Sequence, residues 1–396
     1  MAVPLRQSVQ VGLYVLGQHL RRRQRYPLVL MLEPLFRCNL ACAGCGKIDY
    51  PDSALNARLS VADCLAAAEE CGAPVVSIAG GEPLLHREID QIVRGLTAQR
   101  RFVYLCTNAL LMDKKLDLFE PGPYFTWSVH LDGGREEHDR AVCQQGVHDA
   151  AVAAIRRAKA RGFRVNVNCT LFAGAQPKRV AAFMDSLGAL GVDGVTISPG
   201  YAYERAPDTK HFLNRFNTRQ LFRDIFRLGR GRDWAFGQSP LFLDFLAGNQ
   251  DYRCTPWGNP TRNVFGWQRP CYLLGEGYAD SFRALMDETD WDAWGTGNYE
   301  KCADCMVHSG YEATAVADSV RHPLKALATA WRGPRTDGPM SIDIPLNGQR
   351  PAAHVHDRIV EDGLRRLKTE GRTKDPRRPP QSGQCRPGVP AEPNQA

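Results

Sequence analysis

The sequence predicts an α/β fold, a partial (β/α)6 barrel with a C-terminal cysteine-containing extension. Short apolar segments alternate with amphipathic helical segments from residue 28 to about residue 197, and this unit repeats six times. Strands separated by such helices pair in parallel, because the crossover returns the chain to the same end of the sheet. With 396 residues, the chain also has room for a smaller second unit. A barrel of this kind places its functional groups at the carboxyl ends of its strands.

The boundaries of the units follow from apolar periodicity and composition. The predicted strands are Leu28–Leu32, Val75–Ile78, Phe102–Leu105, Phe125–Leu131, Val165–Leu171 and Val195–Ile197, and the predicted helices are Val61–Glu70, Glu88–Leu96, Ala150–Ala160 and Arg179–Leu190. We expect four regions: a basic amphipathic helix over residues 1–26, the barrel over 27–200, the extension over 201–370, and a disordered, proline-rich tail over 371–396.

Composition and charge exclude several classes of protein. The net charge is +7, and much of the basic excess lies near the two ends of the chain. A nucleic-acid groove is therefore disfavoured, because it needs basic residues interleaved with stacking aromatics through the domain. No apolar run approaches the roughly 18 residues of a membrane-spanning helix, and we expect no signal peptide. We therefore expect a cytoplasmic protein whose thirteen cysteines stay reduced.

Three cysteines directly after the first strand have the spacing C-x3-C-x2-C. Cys38, Cys42 and Cys45 supply soft thiolates, which favour an iron–sulfur cluster or zinc over hard cations. Zinc needs a fourth ligand nearby, and the loop supplies none; scattered core cysteines are the other alternative. A [4Fe–4S] cluster held by three cysteines leaves one iron open to bind another molecule.

This loop resembles the cluster loop of the radical S-adenosylmethionine (radical SAM) enzymes. In that family the open iron binds the amino and carboxylate groups of SAM, and an electron from the cluster cleaves SAM to methionine and a 5′-deoxyadenosyl radical. Gly80-Gly81-Glu82-Pro83, one β/α unit later, is similar to the family's motif for the SAM amino group. The sequence departs from the family at Gly44, where an aromatic residue usually packs near the adenine, so we expect other residues to hold the adenine.

Further candidates for SAM contacts lie at the ends of the later strands. Asn108 ends the third strand. His130 and Asp132 end the fourth, where many family members have Ser-x-Asp-Gly; the alternative is that His130 is a structural residue. Asn166 and Asn168 share one face of the fifth strand, and a buried amide must find a partner. We expect Asn168 to contact the SAM carboxylate or ribose.

Four later cysteines suggest a second metal site. Cys254, Cys271, Cys302 and Cys305 supply enough soft ligands for an auxiliary iron–sulfur cluster or a structural zinc. They resemble the cysteine-rich extensions of many radical SAM enzymes. Because two of the spacings are long, reduced thiols without a metal remain the alternative.

Two apolar segments have two interpretations each. Large apolar side chains in residues 201–246 either belong to the core or line a long apolar pocket; they are Phe212, Phe216, Phe222, Phe226, Leu241, Phe242, Leu243, Phe245 and Leu246. Val9, Leu13, Leu16 and Leu20 fall at helical spacing before the cluster Arg21–Arg25. That helix either packs on the domain with solvated arginines or contacts an anionic membrane surface.

Sequence segments longer than these motifs indicate which radical reaction to expect. Arg37–Ile48, Ala79–His86, Pro199–Pro207 and Gly295–Val316 are similar to the hopanoid-associated radical SAM enzymes, the adenosylhopane synthases. This resemblance implies that the deoxyadenosyl radical adds to the terminal alkene of a hopene such as diploptene, so that SAM is consumed and adenosylhopane forms. It also implies an electron donor such as a flavodoxin or ferredoxin, and peripheral contact with the inner face of the cytoplasmic membrane.

Two other functions stay open. One is a peptide-modifying radical SAM enzyme with an auxiliary cluster, which the four later cysteines suggest. The other is a non-enzymatic iron–sulfur electron carrier, which Gly80–Pro83 disfavours because a carrier needs no SAM site.

The implied reaction needs a hydrogen atom at its end. Addition to a 1,1-disubstituted alkene leaves a tertiary carbon radical, and a thiol can reduce it because an S–H bond is weaker than a tertiary C–H bond. Cys106 shares a face of the third strand with Asn108, whereas Cys169 alternates to the face opposite Asn168. Cys106 is therefore the candidate catalytic residue, with a buried structural cysteine as the alternative.

Overall fold

A computed structural model describes residues 3–201, 211–346 and 356–369. Within these residues the strands are β1 Val29–Glu33, β2 Val75–Ile78, β3 Phe102–Thr107, β4 Phe125–His130, β5 Arg164–Leu171, β6 Gly194–Pro199, β7 Thr261–Asn263, β8 Gly266–Cys271 and β9 Leu274–Ala279. They form one sheet in the order β6-β5-β4-β3-β2-β1-β7-β8-β9. Neighbouring strands from β1 to β6 pair in parallel, which confirms the predicted α/β fold with a six-stranded partial barrel.

The α-helices of the described residues precede, connect or follow these strands. They are α1 Leu5–Leu20, α2 Asp52–Leu55, α3 Val61–Cys71, α4 Ile89–Ala98, α5 Met112–Lys115, α6 Arg135–Ala141, α7 Val147–Ala160, α8 Pro177–Leu190, α9 Arg215–Leu228, α10 Pro240–Leu246, α11 Phe282–Glu288, α12 His308–Arg321, α13 Pro323–Arg332 and α14 His356–Thr369. In this part of the chain every helix is too short or too polar to cross a bilayer. The tail expected to be disordered lies outside the described residues.

The extension continues the barrel sheet. β7 pairs in parallel with the free edge of β1, with Leu32 opposite Arg262, and the antiparallel strands β8 and β9 follow. The exposed backbone groups of an edge strand need a partner, and β7 provides it for β1. Helices α10, α12 and α13 pack together, and α1 packs against α12.

The two faces of the barrel strands differ in chemistry. Outward-facing residues such as Leu30, Leu32 and Trp127 are fully buried against the surrounding helices. The alternate positions face inward, and many of them are polar, for example Ser77 and Asn166. Since successive side chains of a strand point to opposite faces, the apolar core surrounds the barrel, and the interior is left for a site.

Candidate functional site

The inward faces of β1 to β6 surround one elongated cavity of about 1090 Å³. At the carboxyl ends of the strands it reaches the three cysteines of the loop after β1. At the amino ends it reaches Val29 and Val75, where α1 and α13 border it through Val11 and Leu327. The cavity therefore extends through the length of the barrel.

The three loop thiols face one space. Cys38, Cys42 and Cys45 line the cavity and are close enough to interact electrostatically. Burial raises the pKa of Cys38 to about 12 and also raises the pKa values of Cys42 and Cys45. The loop is held on α6, because the Ala43 amide donates a 3.0 Å hydrogen bond to the Ala141 carbonyl.

The donor set of this loop fits a [4Fe–4S] cluster. Across residues 3–201, 211–346 and 356–369, no group of three His, Cys, Asp or Glu side chains is arranged to hold a single metal ion. This finding includes the three loop cysteines. A cluster attaches its ligands to different irons, so its cysteines stand farther apart than those around a single ion. Three soft thiolates around a common space match the cluster that the sequence predicts.

Gly80 and Gly81 bring the end of β2 against the cysteine loop. The amides of Gly81 and Glu82 donate to the carbonyls of Leu35 at 3.1 Å and Arg37 at 2.9 Å. A side chain at either glycine would overlap these carbonyls, and Gly80 has a φ of +106°. The structure thus shows a close approach of two backbone segments; both glycines also line the cavity, and their contact with SAM stays a prediction. This approach fixes the start of the cysteine loop.

Glu82 fixes the end of β3 to the same place. Its carboxylate is buried and accepts hydrogen bonds from the Thr107 hydroxyl and the Asn108 amide, both at 2.9 Å. Burial raises the pKa of Glu82 to about 7. The side chain of Asn108 then donates to Asn39 Oδ1 at 2.8 Å and lies 3.9 Å from the Cys38 thiol. Glu82 thus positions Asn108 beside the cysteine loop.

A buried ion pair, which sequence reasoning missed, holds the far end of the loop. Lys47 Nζ lies 2.7 Å and 2.8 Å from the two carboxylate oxygens of Glu33, at the end of β1. Burial opposes the charged form of Lys47, but Glu33 raises the pKa of Lys47, so its ammonium stays protonated at neutral pH. The only sequence signal was a lysine two residues after the third cysteine.

His130 and Asp132 form a partly buried, hydrogen-bonded pair at the cavity wall. His130 Nε2 lies 2.8 Å from Asp132 Oδ2, while Asp132 Oδ1 accepts from the Thr170 amide at 2.8 Å. Burial opposes both charges, yet Asp132 raises the pKa of His130 and His130 lowers the pKa of Asp132. Burial lowers the pKa of the neighbouring His138 to about 4, so His138 is neutral. The predicted pair is thus present and faces the cavity.

The two asparagines of β5 share the cavity face, as predicted. The Asn166 side chain already has a partner, because its Nδ2 donates to Thr196 Oγ1 at 3.0 Å. Asn168 lies one inward position nearer the cysteine loop. It remains the residue that we predict to contact SAM.

Phe172, at the end of β5, fills the space left by two glycines. A Cβ atom at Gly44 would lie 3.2 Å from the Phe172 ring, and one at Gly200 would lie 2.6 Å from it. Phe212 packs edge-on against this ring, with the centroids 5.8 Å apart. The ring therefore occupies the space beside Gly44, the position at which the sequence lacks the usual aromatic residue. Sequence reasoning noted the missing aromatic but not its replacement.

Cys106 faces the cavity and Cys169 does not, as predicted. The Cys106 thiol lies 3.5 Å from the Ser77 hydroxyl, and burial raises the pKa of Cys106. Cys106 lies on β3, two residues before Asn108, which contacts the cysteine loop. Cys106 is therefore about 7 Å farther from that loop along the strand than Asn108 is.

Most of the large apolar side chains of residues 201–246 belong to the core. Phe222, Phe242 and Phe245 are buried outside the cavity, and Phe216 is exposed. Of the aromatic residues in that predicted set, Phe212 alone lines the cavity. Apolar lining comes instead from scattered segments that tertiary structure brings together, which are represented by Met31, Val75, Val11, Phe236, Leu273, Val316 and Leu327.

The four later cysteines lie near one another. The thiol of Cys254 interacts electrostatically with those of Cys271, Cys302 and Cys305, and the last three interact among themselves. Tyr201 lies beside all four thiols, and its hydroxyl donates to the Lys301 carbonyl. The long spacings in sequence are therefore closed by the fold. An auxiliary metal at these cysteines remains a prediction.

Comparison with protein families divides the chain into two parts. Residues 32–187 match the radical SAM superfamily, and residues 195–329 match a domain of unknown function, DUF3463. The first match begins near the end of β1 and covers the cysteine loop and β2 to β5, and the second begins in β6 and covers β7 to β9.

This chain also resembles characterised proteins over part of its length. GTP 3′,8-cyclase 1 of Mycobacterium tuberculosis is 28% identical over 167 residues, which is 39% of this chain and 46% of that protein. Mycofactocin maturase MftC of Mycolicibacterium smegmatis is 29% identical over 142 residues, which is 35% of this chain and 36% of that protein. The chain thus matches less than half the length of these relatives.

Solved structures share the fold over a longer stretch. Streptococcus suis SuiB bound to S-adenosylmethionine has a TM-score of 0.55 at 17% identity, covering 75% of this chain and 73% of SuiB. Native anSMEcpe with bound AdoMet has a TM-score of 0.51 at 14% identity, covering 77% of this chain and 99% of anSMEcpe. The chain therefore carries a radical SAM domain, whose superfamily uses a [4Fe–4S] cluster and SAM, followed by a DUF3463 extension.

Proposed function

We propose that this radical SAM enzyme transfers the adenosyl group of SAM to the terminal alkene of a hopene, forming a carbon–carbon bond. The observation that carries the proposal is the cavity, which joins the cysteine loop to an apolar opening between α1 and α13. Its volume of about 1090 Å³ lies slightly above the range of roughly 300–1,000 Å³ for small-molecule sites. A pentacyclic hydrocarbon needs a long apolar cavity of this kind.

The bound cluster and SAM supply a 5′-deoxyadenosyl radical, and the residues of this chain control where it goes. Asn108, Asn168 and the His130–Asp132 pair surround the carboxyl end of the cavity, where they orient SAM. The apolar lining below them positions the alkene and excludes water. Methionine leaves, C5′ bonds to the terminal alkene carbon, and the unpaired electron moves to the tertiary carbon.

Cys106 completes the reaction in this proposal. Its thiol donates a hydrogen atom to the tertiary carbon radical, and an electron and a proton restore the thiol. The balanced reaction consumes SAM, the hopene, two electrons and one proton, and it yields methionine and adenosylhopane. A low-potential one-electron donor such as a flavodoxin or ferredoxin supplies the electrons. Because burial raises the pKa of Cys106, the thiol keeps its proton at neutral pH.

The second candidate is a peptide-modifying or cofactor-maturing radical SAM enzyme. The comparisons favour this candidate, since the relatives include the maturase MftC, and SuiB has been solved bound to precursor peptide SuiA. The grouping of Cys254, Cys271, Cys302 and Cys305 also supports it, because an extension of this kind can hold an auxiliary cluster. The hopene proposal depends instead on the sequence strings and on the apolar cavity.

Product analysis distinguishes the two candidates. Anaerobic protein with reductant, SAM and diploptene is expected to give a product with the mass of diploptene plus the adenosyl group and one hydrogen, detected by mass spectrometry. The same incubation without diploptene is the control. Cleavage of SAM to 5′-deoxyadenosine with no diploptene adduct would contradict the proposal and favour the second candidate.

The cysteine loop is tested by substitution. Cys38→Ala, Cys42→Ala and Cys45→Ala should each abolish SAM cleavage and the paramagnetic signal of the reduced [4Fe–4S] cluster, because each removes one of three thiolate ligands. Cys71→Ala, in α3 outside the cavity, is the control and should keep both. Full activity in the triple variant would show that the loop is not the cluster site.

Cys106→Ala tests the hydrogen donor. SAM cleavage and bond formation should continue, but the saturated product should fall while alkene or other products of the tertiary radical rise. Cys169→Ala is the matched control, because that thiol is buried on the opposite face and does not line the cavity. Saturated product at the normal rate from Cys106→Ala would assign the donation to another group.

The auxiliary site is tested by metal analysis of the Cys38/Cys42/Cys45 triple alanine variant. Iron or zinc should remain bound, and it should be lost when Cys254 and Cys302 are also changed to alanine. If the triple variant contains neither metal, the four later cysteines are ordinary reduced thiols.

A further inference from the structure

Helix α1 presents its apolar face to solvent. Its large apolar residues recur every three or four positions and are exposed, namely Leu5, Val9, Leu13, Leu16 and Leu20, with Leu5 at 67% and Leu20 at 76%. The polar residues Gln7 and Gln18 are buried, and Gln7 Oε1 accepts from the Tyr104 hydroxyl at 3.1 Å. Val15 is the one apolar α1 residue that is fully buried with them, whereas a surface helix of a soluble domain usually turns its main apolar stripe to the core. Helix α1 therefore packs on the domain through Gln7, Val15 and Gln18 with its arginines exposed, as one of the two interpretations expected, but the leucine stripe faces solvent.

Helix α13 presents a second apolar stripe. Leu324, Leu327 and Trp331 are spaced three and four residues apart and are 81%, 66% and 88% exposed. Residues at this spacing lie on one side of a helix. Single exposed apolar residues are common on proteins, but two complete helical stripes are not, and such surfaces mark interaction sites.

The two helices border the same end of the cavity, α1 through the side opposite its apolar stripe and α13 through its stripe residue Leu327. Gln7 and Val11 of α1 line the cavity together with Leu327 and Ala330 of α13. We call the exposed residues of the two stripes the apolar rim: Leu5, Val9, Leu13, Leu16, Leu20, Leu324, Leu327 and Trp331. The rim lies at the amino ends of the barrel strands, opposite the cysteine loop, since Val29 and Val75 line that end.

Charge indicates what covers the rim. The first 32 residues contain no Asp or Glu, and exposed Arg21, Arg22 and Arg23 follow α1 directly. Arg321 and Arg332, at the ends of α12 and α13, are also exposed. Apolar stripes flanked by arginines are the features of a helix that lies in the interface of an anionic bilayer, and tryptophan favours the same depth.

We propose that the apolar rim docks on an anionic lipid bilayer, and that the lipid substrate enters the cavity from the bilayer between α1 and α13. The docking follows from the rim itself, and the identity of the substrate rests on the proposed function. SAM then enters from the opposite end, beside the cysteine loop, so the two substrates do not compete for one opening.

This route also limits the substrate. A rigid polycycle that enters from the rim moves along the barrel axis toward Cys106, and its leading end alone reaches the adenosyl group. The enzyme should therefore accept hydrocarbons whose alkene is at that end and reject polycycles whose alkene lies inside a ring.

Vesicle binding tests the docking. Full-length protein should bind to vesicles of phosphatidylcholine with phosphatidylglycerol, and should bind much less to phosphatidylcholine alone, because the arginines contribute a charge-dependent part. The double variant Leu324→Ser/Trp331→Ser should lose about tenfold or more of the vesicle affinity. Both residues are more than 80% exposed, so their replacement should leave the fold intact. Leu118→Ser/Ile342→Ser, at exposed apolar positions outside the rim, is the matched control.

Activity and oligomeric state complete the test. The rim variant should turn over vesicle-embedded diploptene slowly, while SAM cleavage and turnover of detergent-solubilised diploptene stay near normal. Equal vesicle affinity in the rim and control variants would overturn the docking. So would a dimer that only the rim variant converts to a monomer, because a second copy would then cover the rim. Rim-dependent vesicle binding without adduct formation would leave the docking standing and reject the hopene function.

Discussion

The site depends on the contact between the Gly80-Gly81 turn and the backbone that leads into the cysteine loop. Two hydrogen bonds join these segments, and neither glycine has room for a side chain. The next residue, Glu82, uses its buried carboxylate to bind the end of β3. One short turn thus fixes the ends of three neighbouring strands relative to one another. A displacement of this turn would move the loop cysteines and Asn108 together.

A hollow barrel can be stable because its core lies outside the sheet. Leu30, Leu32, Trp127 and Val165 are fully buried on the outer face, where the helices cover them. Burial of apolar area is the main stabilising contribution to a fold, and it is obtained here without filling the interior. The inward positions are therefore free to carry thiol, amide and hydroxyl groups whose placement serves a ligand.

The DUF3463 extension completes the cavity as well as the sheet. β7 covers the open edge of β1, and α12 and α13 line the amino end of the cavity beside α1. The same extension brings four cysteines together near Tyr201. Two chemically different ends result: a polar, thiol-rich end at the cysteine loop, and an apolar end whose rim faces solvent. This arrangement suits a reaction between a polar substrate, which would bind at the cysteine loop, and a lipid substrate, which would bind at the apolar end.

The sequence by itself determined the parallel strands, the cysteine loop and the inward direction of Cys106, because periodicity and local spacing specify these features without distant contacts. It did not reveal the Glu33–Lys47 pair, which forms only because the cysteine loop folds back on the end of β1. Nor did it reveal the placement of Phe172 in the space left by Gly44 and Gly200, because Phe172 and Gly44 are far apart in the chain. It predicted the α1 stripe but not its direction, since an amphipathic pattern is the same whether its apolar side faces a core or solvent. Only the tertiary structure decided that, because it buries Gln7, Val15 and Gln18 against the domain and leaves the leucines of α1 exposed.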